Sequence, residues 1–220
     1  PRSRENTMKG KSMNSKLGLV AAATLALSSS AFASDNFAGF SAGLGLAAVG
    51  SELEITDFTA GDTFTDAQTS TVGLLDLAYT FQLDPQWAVA VGATYDLNNI
   101  QAGQGKGSSG MYDNEFDTHY SVYLQPLFAV TANTAVFAKL GYHWMDFEGK
   151  DSSGAPPVEL DYDGIGYGFG IRTFITPNLY LQAEAQWLDL GSESFVDSFG
   201  DQYKVKASAN SGIFSVGYRY

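Results

Sequence analysis

From Phe40 to Tyr220, apolar side chains recur at every second position in one segment after another. A period of two is the repeat of an extended strand, whose successive side chains point to opposite faces. The terminal run is the clearest: Phe214, Val216, Tyr218 and Tyr220 share one face, and Ile213, Ser215, Gly217 and Arg219 the other. Seven earlier segments follow the same rule. Their apolar faces are Phe40 to Leu46, Leu75 to Phe81, Trp87 to Leu97, Tyr120 to Phe128, Val136 to Trp144, Ile165 to Ile171 and Leu181 to Trp187. The sequence therefore predicts eight strands.

The opposite faces are Gly, Ser, Ala and Gln with isolated charges. A soluble sandwich would turn more Lys and Glu toward water; small polar residues suit the tight interior of a small barrel. Three connections are short: Asp84-Pro85-Gln86, Thr131 to Thr134, and Thr176-Pro177-Asn178. Four are long and rich in Gly, Ser and Asp, at roughly Gly50 to Ser70, Asn99 to Glu115, Glu148 to Asp161 and Gly191 to Lys204. Short and long alternate strictly. Barrels that cross a membrane sort their connections this way, with short periplasmic turns and long external loops.

Aromatics mark two levels. Phe81, Trp87, Phe128 and Tyr220 lie near the short-turn end; Tyr95, Tyr120, Trp144 and Trp187 lie toward the long-loop end. Amphipathic rings favour both interfaces of a bilayer, so two girdles are expected. Backbone polar groups must be paired in lipid, so spanning strands must close into a ring. The expected fold is an all-β, eight-stranded, antiparallel up-and-down transmembrane β-barrel, with side chains filling its interior.

The N-terminus supplies an address. Lys9, Lys11 and Lys16 precede the apolar run Leu17 to Leu27, and Ala31-Phe32-Ala33 forms an A-x-A cleavage site. That order is a secretory signal peptide. Residues 1–33 are expected to comprise upstream sequence and signal, with initiation at Met8 or Met13, and residues 34–220 the barrel. Of 12 basic and 24 acidic residues, five and one fall in the first 33, leaving the exported part at a formal −16. Nucleic acid is excluded as a partner, because phosphate binding needs basic surface. The absence of cysteine excludes disulfides and thiolate chemistry.

The chain resembles the OmpA-type transmembrane barrel family, which includes the small outer-membrane and opacity-type proteins. The likeness rests on the signal ending AFA, on YLQPLFAVTANTAVFAKLGYHW, on the glycine-alternating YDGIGYGFGIRTFITPNLYL and on the terminus FSVGYRY. It covers Ser34 to Tyr220. The resemblance implies a bacterial outer-membrane location and contact with outer-membrane lipid and lipopolysaccharide. It also implies that Phe214, Val216, Tyr218 and Tyr220 act as the signal read by the barrel-assembly machinery. Many members end in Phe, so Tyr220 is a departure. Longer members carry a peptidoglycan-binding domain after the barrel; that role is not expected here. The chain is expected to act as a monomer without a cofactor.

The inward face carries Asp76, Asp96, Asp117, Lys139, Arg172, Glu184 and Arg219. An isolated charge inside a packed barrel is costly, so partners are expected. Lys139, Arg172 and Arg219 are expected to pair with Asp76 and Glu184, a network of a kind that the family resemblance also implies. Such a network either plugs the barrel, leaving a structural or surface-interaction protein that acts through its external loops, or lines a narrow porin-like path for ions or small solutes. His119-x-Ser121, with Asp117 beside it, has the residue types of a hydrolase trio, and His143 is expected to hydrogen-bond in the upper interior. A lipid A-modifying enzyme is thus a third reading, although inward-facing residues would not meet lipid.

The acids Asp57, Asp62, Asp66, Asp113, Glu115, Asp151, Glu159, Asp161 and Asp163 are expected to give a solvated, repelling loop surface, with uptake of divalent cations as the alternative. None matches a calcium loop, although Asp161-Tyr162-Asp163-Gly164 comes near it, and Ala102 to Gly110 lacks the ending of a phosphate loop. Val205, Ala207 and Ala209 run out of step with Phe214 to Tyr220. Either a bulge near Ser211-Gly212 or a strand top clear of the lipid would account for that.

Overall fold

The computed structural model describes residues 37–59, 61–106, 111–151, 158–196, 200 and 202–220. The expected signal peptide, the boundary at Ser34 and the end of the Ala102 to Gly110 stretch lie outside the described residues.

Among the described residues, nine segments form one antiparallel sheet: β1 (Gly39–Asp57), β2 (Asp62–Gln82), β3 (Trp87–Asp96), β4 (Ile100–Lys106), β5 (Met111–Ala129), β6 (Thr134–Asp151), β7 (Val158–Phe174), β8 (Leu179–Val196) and β9 (Gln202–Arg219). The first strand pairs with the last, from Ser41 opposite Arg219 to Asp57 opposite Tyr203. β3 pairs with β5 from Trp87 opposite Phe128 to Tyr95 opposite Tyr120. The sheet therefore closes on itself. β3 and β4 are one stave broken at residues 97–99, since both pair with β5. The barrel thus has eight staves. Closure pairs the strands in the lipid-crossing part and removes the edges that a bilayer would not tolerate.

Turn chemistry fixes the short connections. Asp84 Oδ1 accepts from the N–H groups of Gln86 and Trp87 at 2.7 and 2.8 Å. Thr131 Oγ1 accepts from Thr134 N–H at 2.9 Å, and Thr176 Oγ1 from Leu179 N–H at 3.0 Å. Each side chain ties down a turn that has no room for a longer backbone ladder.

The other end differs from the sequence reading. The long connections are mostly strand. β1 and β2 stay in register from Gly39 opposite Thr80 to Asp57 opposite Asp62, so the first expected loop is a hairpin with a tight tip. β6 and β7 likewise pair up to Gly149 opposite Val158. The stretches read as loops because their face polarity inverts. In β1 the lower half turns Phe40, Leu44 and Leu46 outward; the upper half turns Glu52 and Glu54 outward and buries Val49 and Leu53. Above the lipid the outside meets water, and the apolar residues move in.

The same inversion decides between the two expectations for the last strand in favour of a strand top clear of the lipid. Val205, Ala207 and Ala209 are buried, facing inward with Ser215 and Gly217. β1 and β9 run without interruption past Ser211 and Gly212, so no bulge lies there. The irregularity is on the partner strand, between Asp189 and Ser192, where Gly191 takes φ +74°. Glycine adopts that left-handed conformation without a Cβ clash.

Candidate functional site

The interior is built by pairing rings with glycines. Gly92 lies opposite Tyr123, Gly170 opposite Phe137 and Gly217 opposite Tyr180. A Cβ on any of the three would run into the ring that faces it. Inward glycine is therefore the seat for an inward ring on the neighbouring strand.

Three layers result. At the short-turn end, Phe37, Ala88, Leu127, Ala129, Phe137, Phe174 and Tyr180 form an apolar cluster. At the hairpin end, Val49, Leu53, Val72, Leu74, Ile100, Phe116, Met145, Phe147, Tyr162, Leu188 and Val205 belong to a second one. Between them lie buried Asp76, Lys139, His143, Arg172, Gln182, Glu184 and Gln186.

The lower half of this polar layer centres on Lys139. Its Nζ is 3.0 Å from Glu184 Oε2 and 4.0 Å from Asp76 Oδ2. It also sits 4.1 Å from the centroid of the Tyr123 ring. Tyr123 donates its hydroxyl to Asp76, 3.0 Å from each carboxylate oxygen.

The arginines differ from the sequence reading. Among the described residues no carboxylate lies within ion-pair distance of Arg172. Its Nε donates to Gln182 Oε1 at 2.8 Å, and its guanidinium stacks 4.5 Å over Tyr180. Gln182 in turn donates to Glu184 Oε2 at 3.3 Å, so an amide connects the arginine to the acid. Arg219 sits at the short-turn rim, donating to the carbonyls of Pro177 and Ala38 at 2.7 and 3.5 Å, with Phe174 beneath it. Strand register places it there, opposite Ser41 and beyond the level of Asp76.

The upper half is a chain of side chains. Gln186 Nε2 is 3.2 Å from His143 Nε2, His143 Nδ1 is 2.9 Å from His119 Nε2, and His119 Nδ1 is 2.7 Å from Asp96 Oδ2. The two imidazoles stack with 11° between planes. One assignment satisfies every atom: the amide donates to His143, His143 to His119, and His119 to Asp96.

The hydrolase trio does not assemble. A register shift between Phe116 and Thr118 turns Asp117 outward, where its Oδ1 accepts from Asn99 Nδ2 at 2.8 Å. Ser121 Oγ is 2.6 Å from Thr94 Oγ1, and His119 is engaged by Asp96 and His143. Sequence reasoning missed Tyr123, Gln182 and Gln186 as members of the layer. Their parity carried the signal: the two glutamines flank Glu184 on its own face.

A cavity of about 40 Å³ lies at the middle of the barrel, lined by Asp76, Asp96, His119, Lys139, Glu184 and Gln186 among others. Apolar clusters stand on either side of it.

Outside, the aromatic residues form rows. Tyr95, Tyr120 and Trp144 are opposite one another on three adjacent staves, and Tyr120 stacks on Trp144 at 5.2 Å. Tyr167 stacks on Trp187 at 5.9 Å. At the short-turn end Trp87 packs on Phe128 and Phe40 on Tyr220, with Phe81 exposed nearby. The outward residues Phe214, Val216 and Tyr218 continue this exposed apolar belt.

Above the belt, acids dominate. Asp146 lies opposite Asp161 and Glu148 opposite Glu159, like charges in direct cross-strand pairs. Lys150 relieves them in part, 2.7 Å from Glu148 and 3.3 Å from Glu115, and these contacts raise its pKa. Among the described residues no acid or histidine group is arranged to hold a metal ion. Asp57, Asp62 and Asp66 lie on the β1–β2 hairpin and Asp163 on β7; the side chains of Asp113 and Asp151 lie outside the described residues.

An exposed aromatic and aliphatic belt around a closed ring, with short turns on one side and hydrophilic hairpins on the other, defines a β-barrel that crosses an outer membrane. The chain belongs to the outer membrane protein beta-barrel domain family, whose model matches residues 19–220. Its place is the bacterial outer membrane. The fold is similar to that of the outer membrane protein OprG from Pseudomonas aeruginosa, with TM-score 0.54 and 17% identity over 83% of this chain and 96% of that one. Ail, the attachment invasion locus protein of Yersinia pestis, solved with the heparin analogue sucrose octasulfate, gives TM-score 0.48 and 17% identity over 83% and 99%. The outer membrane protease OmpT from Escherichia coli gives TM-score 0.44 and 8% identity over 88% and 100%. No curated protein matches the sequence.

Proposed function

We propose that this protein is a plugged, non-enzymatic outer-membrane barrel that acts through its external hairpins as a structural or surface-interaction protein. The observation that carries this reading is the layering of the interior. An ion-paired layer around Lys139 is capped by apolar side chains at both ends. An ion must cross an apolar cluster on either side to reach the Lys139 layer, and a packed apolar layer presents a high barrier to it. The hairpins, by contrast, have their own core and extend well past the belt. From Leu46 to Asp57 the strand climbs about 36 Å along its length at roughly 3.3 Å per residue. A chain that served only as an anchor would not need such a projection.

Neither alternative has comparable support. Among the described residues, the apolar clusters on both sides of the charged layer weigh against a narrow channel. Against the lipid A-modifying enzyme, Ser121 Oγ is bonded to Thr94, and His119 is engaged by Asp96 and His143. Planar-bilayer recording tests the proposal: purified protein should give no stable conductance steps. Steps that disappear on Glu184→Gln would replace the plug with a channel.

A further inference from the structure

The ring that closes through the lipid does not close above it. β2 pairs with β3 only from Leu74 to Gln82, while it continues with β1 up to Asp62. The broken stave explains why. Beyond residues 97–99 the chain leaves the wall, and β4 passes inside β2. The backbone of Gln101 is bonded there by hydroxyls that point inward: Ser51 Oγ to its carbonyl at 2.8 Å, and Ser70 Oγ to its N–H at 2.9 Å. Asn98 caps the start of the gap, accepting from Gly73 N–H at 2.8 Å and donating to Thr71 carbonyl at 3.1 Å. These bonds also show which residues of β2 turn their backbone groups toward the gap. They are the odd-numbered ones, so Thr69, Ala67 and Thr65 present N–H and C=O groups along an open edge, and no ladder partner meets them among the described residues.

The outward face of this edge lacks the usual protection, and Asp66 is the one charge on its inward face between Thr63 and Thr71. Natural edge strands carry lysine, proline or other charges that repel a second strand. The outward residues here are Thr63, Thr65, Ala67, Thr69 and Thr71, all exposed and uncharged. The neighbouring hairpin strands do carry outward charge: Glu52 and Glu54 on β1, Asp146 on β6, Glu159 and Asp161 on β7, Lys204 and Lys206 on β9. The outward series is also symmetric about Ala67. In an antiparallel pair of two copies centred there, Thr65 faces Thr69, Thr63 faces Thr71 and Asp66 faces Gln68. Threonine pairs are favoured across strands, and no like charges meet.

We propose that a second copy of this chain docks on this edge, β2 to β2, in antiparallel register about Ala67. The three edge-facing residues on each copy exchange about six backbone hydrogen bonds. The interface is isologous, as a two-fold pair requires. Its axis is perpendicular to the sheet and therefore to the barrel axis, so the second barrel is inverted. The pairing joins barrels in two facing membranes rather than neighbours in one. Each contact is small and weak; many contacts between two membranes act together. The proposal rests on the reading of the hairpins as external interaction elements. The conductance that tests the plug is independent of it.

Phospholipid vesicles carrying the full chain should cluster, as read by light scattering, while staying apart from protein-free vesicles. Ala67→Pro removes an edge-facing N–H and leaves the β1 ladder intact; it should slow clustering at least tenfold. The chain has no cysteine, so Ala67→Cys introduces a single thiol, which copper phenanthroline as oxidant should convert to a disulfide between clustered vesicles. Thr63→Cys, opposite Thr71, should not. All variants are first matched for heat-modifiable gel migration, which reports a folded barrel. Absence of clustering, undiminished clustering by Ala67→Pro, equal capture of protein-free vesicles, or cross-linking at Thr63 as efficient as at Ala67 each overturns the proposal.

Discussion

Lys139 Nζ lies 3.0 Å from Glu184 Oε2, and both side chains are shut away from solvent, at 5% and 1% exposure. A buried pair of this kind is worth little against an apolar replacement, but breaking it strands a charge. Glu184→Gln or Lys139→Met alone should destabilise the folded barrel by about 3–5 kcal/mol in urea titration in micelles. The double variant should cost clearly less than the sum. Additive losses would show that the two charges do not act as a pair.

The glycine seats give a second expectation. Gly217→Ala places a methyl against the Tyr180 ring, on a strand paired on both sides there, with Gly43 and with Tyr180. Overpacking of this sort costs about 1–3 kcal/mol and more where nothing yields. Combining it with Tyr180→Leu should recover most of the loss, because the ring is the obstacle. Failure of that rescue would move the cause to the backbone.

The hairpin core predicts unfolding in two stages. Leu53 is 1% exposed within the upper cluster, on the part of β1 whose outward residues are Glu52 and Glu54. Leu53→Ala should cost about 2–5 kcal/mol locally. The visible result should be faster protease nicking of the hairpins while the membrane-embedded part keeps its unboiled gel mobility. Simultaneous loss of both would show that the barrel melts as one unit.

Tyr162 gives a pH prediction with a definite sign. Its hydroxyl is buried in the upper cluster without a hydrogen-bond partner among the described residues, and burial raises its pKa above the ordinary tyrosine value. The folded hairpins favour the neutral phenol. That contribution is fully present below about pH 10, the value in the unfolded chain, and is lost as pH rises toward the folded value. Tyr162→Phe should therefore remove part of the alkaline sensitivity of hairpin protection. At neutral pH it should be neutral or stabilising by up to about 1 kcal/mol, since an unpaired hydroxyl leaves the core. A marked loss at pH 7 would reveal a partner for the hydroxyl.

The lipid-crossing half was legible in the sequence because its two solvents are far apart in polarity. Phe214, Val216 and Tyr218 against Ser215 and Gly217 can be read only one way. The hairpin half was misread because glycine, serine and aspartate spacing resembles a loop when the apolar positions have changed face. Asp117 shows the same difficulty at one residue: a single register shift turned it from the inward face to the outward. The interior chemistry was half legible. Parity identified Lys139 and Glu184 as inward. It could not show that Arg172 would reach Gln182 rather than a carboxylate, because that depends on the relative stagger of strands β7 and β8. Nor could it show that Asp96, distant in sequence, would meet His119.

The swap of faces along each stave has a consequence for how the protein sits. On β1 the outward residues pass from Leu46 through Ala48 and Gly50 to Glu52, while the inward ones pass from Gly45 to Val49. The chain thus carries its own waterline, legible to within a few residues on each strand. Sinking the barrel by one strand pair would drag glutamate into hydrocarbon; lifting it would bare leucine to water. Immersion depth is therefore encoded in the sequence of every stave, and the height at which the hairpins stand above the bilayer follows from it.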